Sequence, residues 1–310
     1  MYDSSPRHGE FRTRRRGNRG FDDDAPITAK RTRRRSLPPV DYTTDGLPEG
    51  DRWSTWDQSI PTQRGPLPHP DWLVTDLAAV DTELGILKTG KEADVFLLRR
   101  GVPQGRSCLL AAKRYRDAEH RMFHRDSGYL EGRRTRESRV SRATANRTAF
   151  GREAIAGQWA DAEFNALSRL YAAGVCVPYP VQVLETELLL EFVGSDDGVA
   201  APRLAETRPD PASLAALWDQ LVSALVMLAR DGLAHGDLSA YNLLVDDGRL
   251  VMIDLPQVVD VIANPQGAGY LTRDAENIGR WFTARGLDGA ASPAPADLVA
   301  LLRREAMLDD

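Results

Sequence analysis

The chain is poor in cysteine. Cys108 and Cys176 are the only two, too few for a disulfide framework and not at metal-ligand spacing. Both sit in apolar surroundings, which predicts reduced, buried thiols. Also lacking is an uninterrupted run of about 18 apolar residues, the length expected of a bilayer-crossing helix, and the first residues show no hydrophobic stretch with a small-residue cleavage site. The expectation is a soluble, cytoplasmic protein with no membrane partner. No internal repeat is evident, which argues against solenoids and propellers. What is present is a chain of 310 residues, 42% hydrophobic and 27% charged, with a formal net charge of −5. That is enough for a large core, in one domain of two lobes or in two small domains.

The charge is unevenly placed. Residues 1–40 hold 11 Lys+Arg against 5 Asp+Glu, so a basic end precedes an acidic body. Residues 1–65 are rich in Arg, Pro, Gly and Asp and lack apolar periodicity, which predicts a disordered basic tail. Its arginine clusters at 14–16 and 31–35 either face water as a solvated tail or bind RNA, a ribonucleoprotein or another polyanion. Residues 116–150 hold nine arginines with few aliphatics and read as a long mobile insertion.

Between these stretches the periodicity is informative. Pro70 and Asp71 before Trp72-Leu73 predict a short helix. Residues 84–112 carry short apolar stretches split by a turn at 101–105, and 181–192 carry two more split at 185–187, all read as antiparallel strands. Ile155, Trp159, Ala162, Phe164, Leu167 and Leu170 predict a helix over 154–173, and Leu214, Leu217, Trp218, Leu221, Leu225 and Leu228 predict a longer one starting at Asp210-Pro211. The order predicts an α+β, two-lobed, protein-kinase-like layout. A β-rich lobe with one main helix spans 66–192, and a mainly helical lobe spans 193–310.

The strongest chemical signal is His235-Gly236-Asp237-Leu238-Ser239-Ala240-Tyr241-Asn242, followed by a strand, a turn at Asp246-Asp247-Gly248, a second strand and Asp254. Phosphoryl transfer needs a carboxylate near the attacking oxygen and oxygen ligands for Mg²⁺. A hairpin that gathers Asp237, Asn242 and Asp254 supplies both, and the five-residue step from Asp237 to Asn242 matches kinase catalytic loops. Asp237 is therefore assigned to the nucleophile, Asn242 and Asp254 to the metal, and His235 to bracing the loop. Lys113 ends the apolar run 109–112, where a lysine can reach the α- and β-phosphates of ATP if a helix carboxylate holds it. Glu163 is chosen over Glu153 and Asp161 as that carboxylate. Lys88-Thr89-Gly90-Lys91 forms a strand-turn suited to cover phosphates; with a single glycine, side chains are expected to supply part of the contact.

Thr89-Gly90-Lys91-Glu92-Ala93 resembles the phosphate loop of RIO kinases, and 235–242 with Ile253-Asp254-Leu255-Pro256-Gln257 resembles their catalytic and metal loops. Residues 116–123 are similar to the entry of that family's flexible loop, particularly in its type-one subfamily. The similarity covers roughly 80–285. It implies a serine/threonine protein kinase that uses ATP with Mg²⁺ or Mn²⁺, acts on a protein substrate that includes itself, or works as an ATPase switch in which Asp254 transiently accepts phosphate. It also implies a hinge at Glu191-Phe192-Val193, where the Glu191 carbonyl and Val193 amide bind the adenine edge. Two positions depart from the pattern: Lys88 stands where the family often has serine, and Asn264 where it has histidine.

The 56 residues after Asp254 are expected to be too few for the peptide-docking helices of ordinary protein kinases. Autophosphorylation is expected in the insertion, at Ser127, Thr135, Ser138, Ser141, Thr144 or Thr148, where arginines would stabilise the added charge. Two other readings stay open at this point: a small-molecule kinase of the aminoglycoside or choline phosphotransferase type, and a nucleotide-sensing scaffold for a ribonucleoprotein.

Overall fold

The computed structural model describes residues 51–116, 149–256, 258–287, 291 and 293–309. The arginine clusters of the tail and the six serines and threonines of the insertion lie outside them.

Six strands form one antiparallel sheet in the order β1-β2-β3-β4-β6-β5: β1 Asp51–Trp53, β2 Val80–Thr89, β3 Ala93–Gly101, β4 Ser107–Tyr115, β5 Pro180–Leu184 and β6 Glu187–Glu191. Side chains alternate across the sheet. On one face Leu98, Cys108, Leu110, Ala112, Val181 and Leu189 are buried with Trp56, Leu73, Val74 and Tyr179. On the other, Ala93, Tyr115, Val183 and Leu188 pack toward α1, Ala149–Ala172.

The expected tail boundary near 65 is too late. Residues 51–65 contribute β1, paired with β2 from Asp51↔Thr82 to Trp53↔Val80, and a 3-10 turn at Pro61–Gln63. Trp56 is buried, and the Arg64 guanidinium lies 4.8 Å over its ring. Arg64 also donates to the Trp56 carbonyl at 2.7 Å. Composition averaged over 65 residues concealed these anchors. The predicted helix near residue 70 is instead a turn, closed by the Leu73 N–H on the Pro70 carbonyl at 3.0 Å.

Helix α1 buries Ala156, Ala160, Glu163, Phe164, Leu167 and Leu170, whereas Ile155, Trp159 and Ala162 are only half-buried. Its stripe is therefore turned from the predicted face, and the alanines let the helix approach the sheet closely. Cys108 is buried and Cys176 half-buried, both free.

The second lobe begins with α2, Pro211–Arg230, capped by Asp210, which accepts from the Ala212 and Ser213 N–H groups. By length and composition α2 could cross a membrane. Its apolar residues are instead spent on a core, where Leu214, Leu217, Trp218, Leu221, Leu225 and Leu228 are all buried. Trp218 donates its indole N–H to the Pro293 carbonyl at 2.9 Å and lies 5.0 Å from the Phe282 ring. Two short antiparallel pairs, β7 Leu233–Ala234 with β10 Val259–Asp260 and β8 Leu243–Asp246 with β9 Arg249–Met252, flank the chemical motif. Helices α3, Gly267–Ala284, and α4, Leu298–Glu305, complete this lobe.

Candidate active site

Alternation along β4 decides what faces the second lobe. Leu110 and Ala112 point into the outer layer, so Lys113 and Tyr115, each an odd step away, point toward α1. The Lys113 ammonium donates to Glu163 Oε1 at 2.8 Å and to Asp254 Oδ1 at 2.7 Å. The lysine, its helix partner and the metal-loop aspartate named from the sequence are thus brought together. Asp161 is exposed on α1, and Glu163 is 1% exposed.

Two further groups hold Glu163. The Tyr115 hydroxyl donates to Oε2, and the Leu255 N–H donates to Oε1 at 3.2 Å. Burial, then the Glu163 charge, pushes the Tyr115 phenol well above its ordinary value, so it stays a neutral donor. Burial alone would lower Lys113, but the Glu163 and Asp254 charges and the hydrogen bond to Asp254 outweigh it and hold the ammonium well above the usual lysine value. Burial likewise opposes the Asp254 charge. The Lys113 ammonium prevails, with Lys88 adding to it, and the carboxyl is pulled down to about 2. Asp254 keeps a left-handed backbone, φ 66°, a conformation costly for most side chains but tolerated by aspartate. Its side chain remains 36% exposed, so it is anionic, gripped on one side and open on the other.

The catalytic loop is built around two internal braces. His235 is buried; its Nε2 lies 3.1 Å from the Ile253 carbonyl, and its Nδ1 receives the Asp237 N–H at 3.4 Å. Asp274, on α3, accepts the Gly236 N–H at 2.7 Å and the Leu238 N–H at 3.0 Å. It therefore clasps the backbone on both sides of Asp237. Gly236 has φ 89°, which glycine alone adopts without strain. Asp237 itself is exposed, and among the described residues its carboxylate has no hydrogen-bond or ion-pair partner. Asn242 donates Nδ2 to the Asp237 carbonyl at 2.9 Å. That bond leaves its Oδ1 free of described partners.

Neither Asp274 nor Tyr115 was singled out from the sequence. Asp274 is one of many acidic residues 20 positions past the motif. Tyr115 carried a usable signal, because a residue two steps from a strand lysine shares its face.

The other predicted contacts are mixed. Lys88 is exposed on β2 near the Lys113 group: desolvation lowers its ammonium, the Asp254 charge raises it, and Arg203 and Lys113 lower it again. Thr89 pairs with Asp94 across the β2–β3 register, and Arg116 grips the Asp94 carboxylate through Nε at 2.6 Å. Gly90 donates its N–H to the Ala93 carbonyl at 3.0 Å, and a Cβ at Gly90 would lie 2.8 Å from that oxygen. This glycine is needed by the turn itself. Lys91 is exposed at its tip. At the hinge, the Glu191 side chain is already engaged by the Tyr179 N–H at 2.9 Å. The Val193 carbonyl accepts from Ala201 N–H at 3.0 Å, and its own N–H has no acceptor among the described residues. Asn264 caps the Gln266 N–H at 2.8 Å. A concavity of about 460 Å³, lined by Thr75, Asp76, Val102, Gly105 and Arg106, lies at the β3–β4 turn, the opposite end of β4 from Lys113.

Among the described residues no cluster of three His, Cys, Asp or Glu side chains has metal-site geometry. The donor set that suits Mg²⁺ is of another kind. It comprises the open carboxylate of Asp254 and the free amide oxygen of Asn242, hard oxygens whose remaining positions substrate phosphate and water would fill.

A curled antiparallel sheet with one helix, joined to a mainly helical lobe and sharing a Lys–Glu–Asp cluster, defines the two-lobed kinase-like class. The sequence model described as "RIO domain" matches residues 110–294, and the chain belongs to the RIO family. It is 36% identical to the RIO-type serine/threonine-protein kinase Rio1 of Haloferax volcanii, over 67% of this chain and 66% of that one. It is 30% identical to the serine/threonine-protein kinase RIO1 of Chaetomium thermophilum, over 66% of this chain and 40% of that one. It is 36% identical to a serine/threonine-protein kinase RIO3 of Caenorhabditis elegans, over 41% and 26%. The matched stretch thus spans no more than about two thirds of these relatives.

Proposed function

We propose that the chain is an ATP-dependent serine/threonine protein kinase of the RIO type that also hydrolyses ATP. The observation that carries this reading is Lys113 held between Glu163 and Asp254 at 2.8 and 2.7 Å, beside an exposed Asp237 whose carboxylate has no partner among the described residues. Lys113 is then fixed to receive the α- and β-phosphates. The Val193 N–H takes the adenine edge with the Glu191 carbonyl, while Lys88 and Lys91 approach the phosphates from the turn. Asp237 orients the attacking hydroxyl or water and accepts its proton, and Asn242 and Asp254 hold Mg²⁺. The metal, when bound, neutralises charge on the transferring phosphoryl group. We further propose that the arginine-rich tail contacts RNA or a ribonucleoprotein and that the chain phosphorylates itself.

The names of the relatives support a protein kinase. They lend nothing to a small-molecule kinase or to a scaffold without turnover. The test compares the wild-type chain with Asp237→Ala and Asp254→Ala for ATP affinity, ATP hydrolysis and transfer of labelled phosphate to protein. Loss of turnover with retained ATP binding in Asp237→Ala is expected. Full turnover in either variant would reject the assignment.

A further inference from the structure

The segment joining the two lobes does more than connect them. After Val193 the chain doubles back: Gly194 bridges Ala200, and Ala201 N–H donates to the Val193 carbonyl at 3.0 Å. The returning strand then docks on the catalytic side. Val245 N–H donates to the Pro202 carbonyl at 2.9 Å, and Arg203 bridges Leu244. The Arg203 side chain reaches on, donating from Nη1 to the Tyr241 carbonyl at 2.9 Å. Its own N–H is held by Glu206 Oε2 at 3.1 Å. Arg203 therefore contacts both sides of Asn242, at 241 and at 244.

Among the described residues, the hydrogen bonds of Asn242 itself all stay within its own loop and hairpin. Its N–H donates to Ser239, its carbonyl accepts from Ile253, and its Nδ2 donates to the Asp237 carbonyl, each at 2.9 Å. These bonds shape the loop but do not tie it to the hinge. Among the described residues, the 200–203 segment is the one that runs from Val193 to position 241.

We infer that Arg203 is a positioning residue for the metal site: its bond to the Tyr241 carbonyl fixes the orientation of Asn242 and links the adenine edge at Val193 to the metal ligands. The inference rests on the kinase reading above and adds a residue to it. A charged donor on a carbonyl makes one of the stronger neutral-acceptor hydrogen bonds. Groups that orient metal ligands typically change metal affinity by about 10- to 100-fold when lost.

The experiment uses the full chain with Arg203→Ala and Arg203→Lys, with two readouts besides activity. Mn²⁺ affinity in the presence of ADP is followed by electron paramagnetic resonance, and adenosine affinity by calorimetry. Arg203→Ala is expected to weaken Mn²⁺ binding about tenfold while adenosine affinity changes less than about twofold. Arg203→Lys, which keeps a cationic donor, should recover part of the loss. Should Arg203→Ala fail to fold in a melting experiment, Arg203→Lys alone carries the comparison, with a smaller shift in the same direction. Unchanged Mn²⁺ affinity in the folded variants overturns the inference. Equal weakening of Mn²⁺ and adenosine does so too, since it signals general distortion. A wild-type chain that binds no nucleotide would instead remove the kinase reading beneath it.

Discussion

The two faces of the N-terminal sheet each bury a cation between acceptors, and they use it in opposite ways. On the outer face Arg100 is fully buried. Its Nε and Nη2 grip the two Asp81 oxygens at 2.7 and 2.9 Å, and Nη1 donates to Gln182 at 3.1 Å. Gln182 passes the chain on to Thr55 at 2.8 Å, so the network ends inside the segment that closes this face. On the inner face Lys113 is 12% exposed and its partner Asp254 36%. The outer cluster is closed and both Asp81 oxygens are engaged by Arg100, with Arg52 a second cation at 3.7 Å, whereas the inner one leaves an anion and a neighbouring carboxylate, Asp237, facing solvent. A saturated ion pair can only brace; an unsaturated one can bind.

The sharpest way to break this contrast is to remove one member from each face. Asp237→Asn should lower turnover by about three orders of magnitude or more, since the group acts at the reacting oxygen, while thermal unfolding shifts by less than a few degrees. Arg100→Met should do the reverse. Leaving Asp81 buried with only the longer contact to Arg52, 3.7 Å, should cost about 3 kcal/mol, read from chemical denaturation. Turnover per folded molecule, assayed below the melting transition, should stay within about twofold. A stability loss in the first variant as large as in the second would erase the distinction between the faces.

A subtler test lies between them. Tyr115→Phe removes one of three donors to a carboxylate that is 1% exposed. The expected cost is about 1 kcal/mol of stability. A KM for ATP raised about fivefold is expected to follow, as Glu163 loses its fixed orientation toward Lys113. If KM is unchanged while stability falls, Tyr115 belongs with Arg100 as a brace, and the inner face is less specialised than drawn.

Much of this contrast was legible in the sequence on one side only. Asp237, Asn242, Asp254 and Lys113 were readable because phosphoryl-transfer chemistry restricts residue types and short spacings, and a hairpin of known length converts those into proximity. Glu163 was readable because one buried carboxylate on one helix is enough to hold the lysine. The closed face was not, since Asp81, Arg100 and Gln182 come from three strands and become neighbours only once the sheet order is known. Residues 51–65 failed for a related reason. Their few aromatics have no periodicity of their own and gain meaning only against the sheet surface they cover. Asp274 and Arg203 act on backbone groups of the catalytic loop, and a bond to a carbonyl or an N–H leaves no mark on the partner's side chain.

The smallest effect concerns the open anion itself. Asp254 is held at about 2, below the ordinary carboxylate value of 3.8, so the native state binds its proton less readily than the unfolded chain. Its contribution to stability is therefore complete above the unfolded value and fades as pH falls from about 4 through about 2. The side chain is 36% exposed, and solvent screening should reduce the effect to about 1 kcal/mol. Asp254→Asn keeps the shape and the tolerance for a left-handed backbone but cannot titrate. Denaturant midpoints of wild type and Asp254→Asn, taken from pH 5 downward in the absence of nucleotide and metal, should converge by about 1 kcal/mol as the pH approaches 2. A difference that stays constant over that window would mean that Lys113 is neutralised chiefly by Glu163, and that Asp254 is more open to solvent, and to a metal, than its contact with Lys113 suggests.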